Sequence, residues 1–163
     1  MREVEVVGVR VEMPTNQPLV LLREAEGTRY LPIWIGAVEA SAIAYAQEGT
    51  KTPRPLTHEL MQHMVVALGD ELEEVRIIDV HDGVFFASLI FASGAEVEAR
   101  PSDSIALALR AGARIVCTED VLDEAGIQST RAEDEEVERF REFLDEVAPD
   151  DFVQPGDGPS TQT

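Results

Sequence analysis

The sequence predicts an α+β fold: a twisted, mostly antiparallel sheet with packed helices, followed by an acidic C-terminal helix. Three observations carry this. Asp82-Gly83 stands between two apolar runs and is the strongest short-range hairpin signal a chain can offer. Further short turns separate alternating apolar stretches, so hairpin signals outnumber βαβ units and a doubly wound parallel sheet is excluded. Between the strands, apolar residues recur at the three- and four-residue spacing of helices.

Taken in order, Val4, Val6, Val7, Val9 and Val11 form a first strand that ends at the turn Pro14-Thr15-Asn16-Gln17-Pro18. Residues 19 to 23 and 30 to 35 make two more, joined at a turn containing Gly27, so the first third reads as a three-stranded meander. A helix from about Ala37 to Gln47 follows, with the small face Ala40, Ile43, Ala44 and Gln47. A second, from about His58 to Leu68, is expected to bury Leu60, Met61, Met64 and Leu68. Strands at residues 75 to 81, 84 to 91 and 96 to 100 come next, the last two joined at Ser93-Gly94. A third helix from about Asp103 to Ala111 points Ile105, Ala108 and Leu109 inward and stops at Gly112, a favourable residue just past a helix end. A strand over residues 114 to 118 and a short helix over 120 to 125 complete the main domain. Residues 1 to 128 are thus one domain and residues 129 to 153 an acidic helical extension, whose seam is Val137, Phe140, Phe143, Leu144 and Val147. Residues 154 to 163 have no apolar anchor and are expected to be a disordered tail.

Charge limits the function. The chain of 163 residues has 13 basic and 32 acidic side chains, a net charge of −19, and residues 129 to 163 alone contribute −8. Such a surface repels an approaching polyanion, with a screening length of about 8 Å at physiological salt, so contact with any nucleic acid must be local, through a few arginines or bound divalent cations. No apolar run is long enough to span a bilayer, and the start Met1-Arg2-Glu3-Val4-Glu5 lacks the layout of a signal peptide, so a cytoplasmic protein is expected. The single cysteine, Cys117, lies in an apolar run and reads as a buried, inert thiol.

Two segments stand out, Arg54-Pro55-Leu56-Thr57-His58 and Arg100-Pro101-Ser102-Asp103. Each sets an arginine beside a helix start, with Thr57 and Ser102 as expected N-caps. The unpaired N–H groups and positive dipole end there suit an anion, phosphate above all. The plain alternative is local: proline stiffens, hydroxyl caps and arginine pairs with a neighbouring acid. His58 and His63 are five positions apart, so they cannot form the one-face pair of a zinc protease. His58, beside the cap, is expected to be solvated if structural, or, as a site residue, to be a general acid or base or a neutral metal ligand, while His63 and His81 read as surface residues. Glu39 and Asp103 each fall in a first helical turn, favoured by the dipole without any function. Two carboxylates near an imidazole also suit a divalent ion held against a phosphate. Asp79 alternates with Ile77 in a strand, and nothing local decides whether it is buried.

The segments Leu31-Pro32-Ile33-Trp34-Ile35-Gly36-Ala37-Val38-Glu39-Ala40, Arg54-Pro55-Leu56-Thr57-His58-Glu59-Leu60 and Ala99-Arg100-Pro101-Ser102-Asp103-Ser104-Ile105-Ala106-Leu107-Ala108 resemble, in order and spacing, three signature segments of the bifunctional nuclease domain family. The resemblance covers about residues 3 to 128. It departs mildly at Glu59, more often aspartate there, and at Ser104, more often alanine. It implies a mixed α/β domain, a wedge-shaped homodimer with a large groove, and nuclease activity on DNA and RNA.

Residue chemistry then assigns expected roles. Glu39 and Asp103 would anchor Mg²⁺ or Mn²⁺ and, with His58, make the catalytic set. Arg54, Thr57, Arg100 and Ser102 would hold the phosphate, Arg54 and Arg100 as clamps converging on one groove. The alternative is a non-catalytic dimeric module that binds a phosphate-bearing ligand or a protein partner. The acidic surface and the absence of any basic or aromatic strip favour that alternative. Apolar surface on the Trp34 segment, the small-residue helix and the acidic helix points to a homodimer.

Overall fold

The computed structural model describes residues 1–129 together with residues 135, 136, 138–140 and 142. The elements run β1 (Arg2–Glu12), β2 (Gln17–Glu24), β3 (Arg29–Trp34), α1 (Ala37–Glu48), α2 (Thr57–Ala67), β4 (Leu72–His81), β5 (Val84–Phe91), β6 (Glu96–Ala99), α3 (Pro101–Ala111), β7 (Arg114–Cys117), α4 (Glu119–Ala125) and β8 (Ile127–Gln128). All eight strands join one sheet in the order β6-β5-β4-β7-β1-β2-β3-β8. Only β4 and β7 pair in parallel; every other pair is antiparallel, as the hairpin signals predict.

Two meanders, β1-β2-β3 and β4-β5-β6, are each followed by a helix, α1 and α3, and β7 joins them at the centre of the sheet. Asp82 and Gly83 both adopt positive φ, 51° and 77°, as the tight hairpin turn between β4 and β5 requires. A bulge between Val6 and Gly8 breaks the alternation of β1, so Val7, Gly8 and Val9 are buried in succession. The core draws on both meanders and on α1, α3 and α4, with Leu22, Leu31, Ile43, Ile77, Ile105 and Leu122 fully enclosed. Cys117 lies among them, and burial pushes its thiol up to about 12, which makes it inert at neutral pH.

The structure corrects several expectations. Helix α2 packs on α3 and buries only His58. Leu60, Met61, Met64 and Leu68 face outward, between 39% and 82% exposed. Periodicity reveals that an apolar stripe exists but not what covers it. Thr57 and Ser102 are not caps. Helix α2 starts at Leu56, whose carbonyl accepts from Leu60 N at 2.8 Å, and Thr57 is its exposed first residue. In α3 the helix begins at Pro101, because proline lacks the N–H that a first helical residue leaves unpaired anyway. Arg100 is therefore the cap residue, and Ser102 is buried in the first turn. Gln47, expected on the packed face of α1, is exposed. Strand β8 has only two residues, too few for a sequence signal. Of the acidic seam, Phe140 is described: it is half-buried, with the Arg10 guanidinium 5.7 Å from its ring centre. Val137, Phe143, Leu144, Val147 and the tail at residues 154 to 163 lie outside the described residues.

Helix α4 is tied down by charge. The guanidinium of Arg29 bonds both carboxylate oxygens of buried Glu24 at 3.0 Å and reaches Glu119 and Asp123 on α4, each at 2.7 Å. The hydrogen bonds from Arg29 hold the Glu24 carboxyl below its ordinary 4.5, although burial opposes this. A depressed folded-state pKa stabilises the protein at neutral pH, and that contribution is lost as pH falls through the folded value. The melting temperature is therefore expected to stay level above about pH 5 and to decline below it. Glu24→Gln should lower it at pH 7 by roughly 2–8 °C and flatten the acid decline, as followed by circular dichroism across pH.

Candidate functional site

The starts of three helices meet at one place. Glu39 is the third residue of α1, His58 the second of α2 and Asp103 the third of α3, with Arg100 capping α3. Helix α3 packs against both α1 and α2, and that packing brings the three ends together. Each end carries a partial positive charge, so carboxylates are favoured there by roughly 0.3–1 kcal/mol apiece.

Asp103 is the hub. Its Oδ1 lies 2.9 Å from His58 Nε2, and its Oδ2 accepts from Arg100 Nε at 2.9 Å and Nη2 at 2.8 Å. The same Nη2 reaches Glu39 Oε1 at 2.9 Å. His58 is 7% exposed, which corrects the expectation of a solvated ring. An ionised carboxylate only accepts, so the hydrogen of the neutral imidazole is assigned to Nε2 and its Nδ1 keeps the lone pair. The Asp103 and Glu39 carboxylates raise the pKa of Arg100, so it remains a cation throughout.

Two further residues shape the cluster. At Gly36, the cap of α1, a Cβ would collide with Glu39 Oε2, so the carboxylate folds back over a position that only glycine leaves open. Ser104, fully buried, donates its hydroxyl to the Arg100 carbonyl at 2.8 Å, beside the helical bond from its own N–H at 3.0 Å. The sequence signal for both is adjacency: Gly36 stands three residues before Glu39, and Ser104 directly follows Asp103.

Other expected residues lie elsewhere. Arg54 is exposed on the loop before α2, its carbonyl accepting from Thr52 Oγ1 at 2.6 Å, and it pairs with no described carboxylate. It therefore joins neither Arg100 nor Asp103 in a direct contact, and the two-arginine clamp is not formed here. His63 and His81 are exposed as expected, and His81 pairs with Asp79, also exposed, at 2.8 Å.

A divalent ion at Glu39 and Asp103 meets a test of fit. Among the described residues no group of three or more His, Cys, Asp and Glu side chains is placed to hold an ion. Arg100 already stands between the two carboxylates and takes the facing oxygen of each. In this arrangement the residues do not fit Mg²⁺ or Mn²⁺, and no step below passes through a metal.

A family model described as the bifunctional nuclease domain matches residues 20–130, most of the chain. The chain belongs to the bifunctional nuclease domain family. Two proteins from different strains of Mycobacterium tuberculosis, each described as uncharacterized, are 55% identical to it over 161 residues, covering 93% of this chain and 98% of theirs. The three helix starts all lie within the matched bifunctional nuclease domain. No helix among the described residues is long and apolar enough to cross a membrane.

Substituting Gly36 tests the geometry. Gly36→Ala should keep the fold, with melting shifted by no more than a few degrees, and turn the Glu39 carboxylate away from Arg100. A high-resolution structure of the variant with Glu39 still on Arg100 would contradict this.

Proposed function

We propose that this protein is a nuclease that hydrolyses phosphodiester bonds in DNA and RNA, with His58 as its base. The observation that carries this is the Asp103 carboxylate held between His58 Nε2 at 2.9 Å and the Arg100 guanidinium. Membership of a nuclease domain family supports it. Asp103 orients the ring and stabilises the imidazolium once a proton is taken, as the acid of an Asp-His pair does. His58 removes the proton from the attacking water and returns it to the leaving oxygen, so the proton count closes. Arg100, at the rim with 66% of its side chain exposed, turns toward the phosphate oxygens as charge builds on them. Glu39 holds Arg100 in place before substrate arrives. Buried Ser102 and exposed Thr57 line the first turns that offer N–H groups to the phosphate.

The assay uses purified parent, His58→Ala and Asp103→Asn on single-stranded and duplex DNA and RNA, with Mg²⁺, Mn²⁺ or EDTA. Each variant should lose at least about 100-fold in rate, the usual worth of a positioned base. Asp103→Asn should lose no more than about 1 kcal/mol of stability, since asparagine still accepts at a helix start. Equal cleavage by parent and variants would remove the dyad from the chemistry. Activity with Mg²⁺ that vanishes in EDTA would show that an ion displaces Arg100. A non-catalytic dimeric module binding a phosphate-bearing ligand or a protein is favoured by one observation, that Arg100 is already bound by two carboxylates. Binding without cleavage by any form would establish that reading.

We also propose a two-fold homodimer through α2. Leu56, Leu60, Met64 and Leu68 recur every four residues on one exposed face, flanked by Met61, which is an interface pattern for a helix. Two copies packed on this stripe would bury apolar side chains that each protomer otherwise leaves in water. The parent should scatter light as a dimer at micromolar concentration, and Leu60→Glu combined with Met64→Glu should give monomers. A monomeric parent would rule the interface out.

A further inference from the structure

Within residues 1–129 the arginines are nearly all spoken for. Arg2, Arg10, Arg23, Arg29, Arg76, Arg100 and Arg114 each face a carboxylate. Arg110 is turned inward, donating to the carbonyls of Ala106 on its own helix and Ala42 on α1. In residues 1–129 that leaves Lys51, the single lysine of the sequence, and Arg54, neither paired with any described residue. Both are exposed on the α1–α2 loop, and residues 49 to 58 contain no acid. Prolines on both sides of Arg54 fix the backbone there, and the hydrogen bond from Thr52 Oγ1 to its carbonyl braces the loop. Arg54 lies four residues before His58, within about 14 Å along the chain.

An unpaired cation pair on a chain of net charge −19 stands out as a local exception to the field around it. We propose that the α1–α2 loop is a strand-binding element, in which Lys51 and Arg54 hold backbone phosphates flanking the one that faces His58. The ligand class is then a single-stranded polynucleotide several phosphates long, not a mononucleotide. This rests on the nuclease reading for the direction of the strand, but its own evidence is the charge pattern of the loop. Arg54 acts as an outlying contact and not as the second clamp on the scissile phosphate.

The experiment measures binding, with the full chain and a fluorescent, phosphorothioate-linked single-stranded oligonucleotide of about a dozen residues, by anisotropy across a salt series. Each phosphate contact on a single strand adds about 0.7 to the slope of log affinity against log salt. Lys51→Ala combined with Arg54→Ala should bind at least tenfold more weakly, with a slope shallower by about 1.4. Lys51→Arg with Arg54→Lys keeps both charges and should bind like the parent. Arg23→Ala, which removes one positive charge from the Glu5 pair elsewhere, should leave the slope unchanged. A mononucleotide should compete poorly. The proposal fails if the double alanine variant, folded by circular dichroism, keeps the parent slope, if Arg23→Ala loses as much, or if the parent binds no oligonucleotide. Loop-dependent binding without cleavage would sink the nuclease reading and leave this one standing. Cleavage with unchanged binding in the loop variant would do the reverse.

Discussion

Asp103 is the interaction on which the site depends. A carboxylate bound by an imidazole on one oxygen and a guanidinium on the other is held in one rotamer, and it holds both partners in turn. The cost of enclosing His58 is offset because its ring nitrogen meets a charged acceptor. Arg100 then passes the constraint to Glu39, so three helices are registered against each other by one chain of polar contacts. Ser104 fixes the backbone at the same point by bonding the Arg100 carbonyl from within the core.

The sheet explains why those helix starts coincide. Each meander ends in a strand that leads into a helix whose third residue is an acid, Glu39 after β3 and Asp103 after β6. The meanders are joined through β7, antiparallel to β1 and parallel to β4. Helices α1 and α3 pack together, and their acids share one arginine. Helix α2 adds the histidine from the side. The fold thus brings two carboxylates close at positive helix ends and sets one guanidinium between them.

Much of this was legible in the sequence. Turn chemistry at Asp82-Gly83 and the meander spacing read out the antiparallel sheet, because those signals depend on a few neighbouring residues. Residue type and helix-start position picked out Glu39, His58, Arg100 and Asp103, which do converge. What failed depended on tertiary packing. The stripe on α2 was assigned to the core, yet the core had already been filled by α1 and α3. His58 was read as solvated because capping rules do not know that α3 will cover the start of α2. Thr57 misses the cap position by one residue and Ser102 by two, the latter because Pro101 takes the first helical position.

Charge limits what this site could admit. A surface of net −19 would repel a strand that comes within about a screening length, so its approach would be governed by salt in two opposing ways. Raising salt weakens the long-range repulsion, while it also weakens each direct phosphate contact by counterion competition. With only two unpaired cations on the α1–α2 loop, the direct term is small, and the repulsive term acts over the whole surface. On the proposed reading, affinity would come from short-range geometry at the three helix starts and from flexible single strands able to enter there, while a stiff duplex would bring its full phosphate array against the acidic surface. The same excess of acids leaves Arg100 held between Glu39 and Asp103, so a phosphate at this place would have to compete with both carboxylates for it.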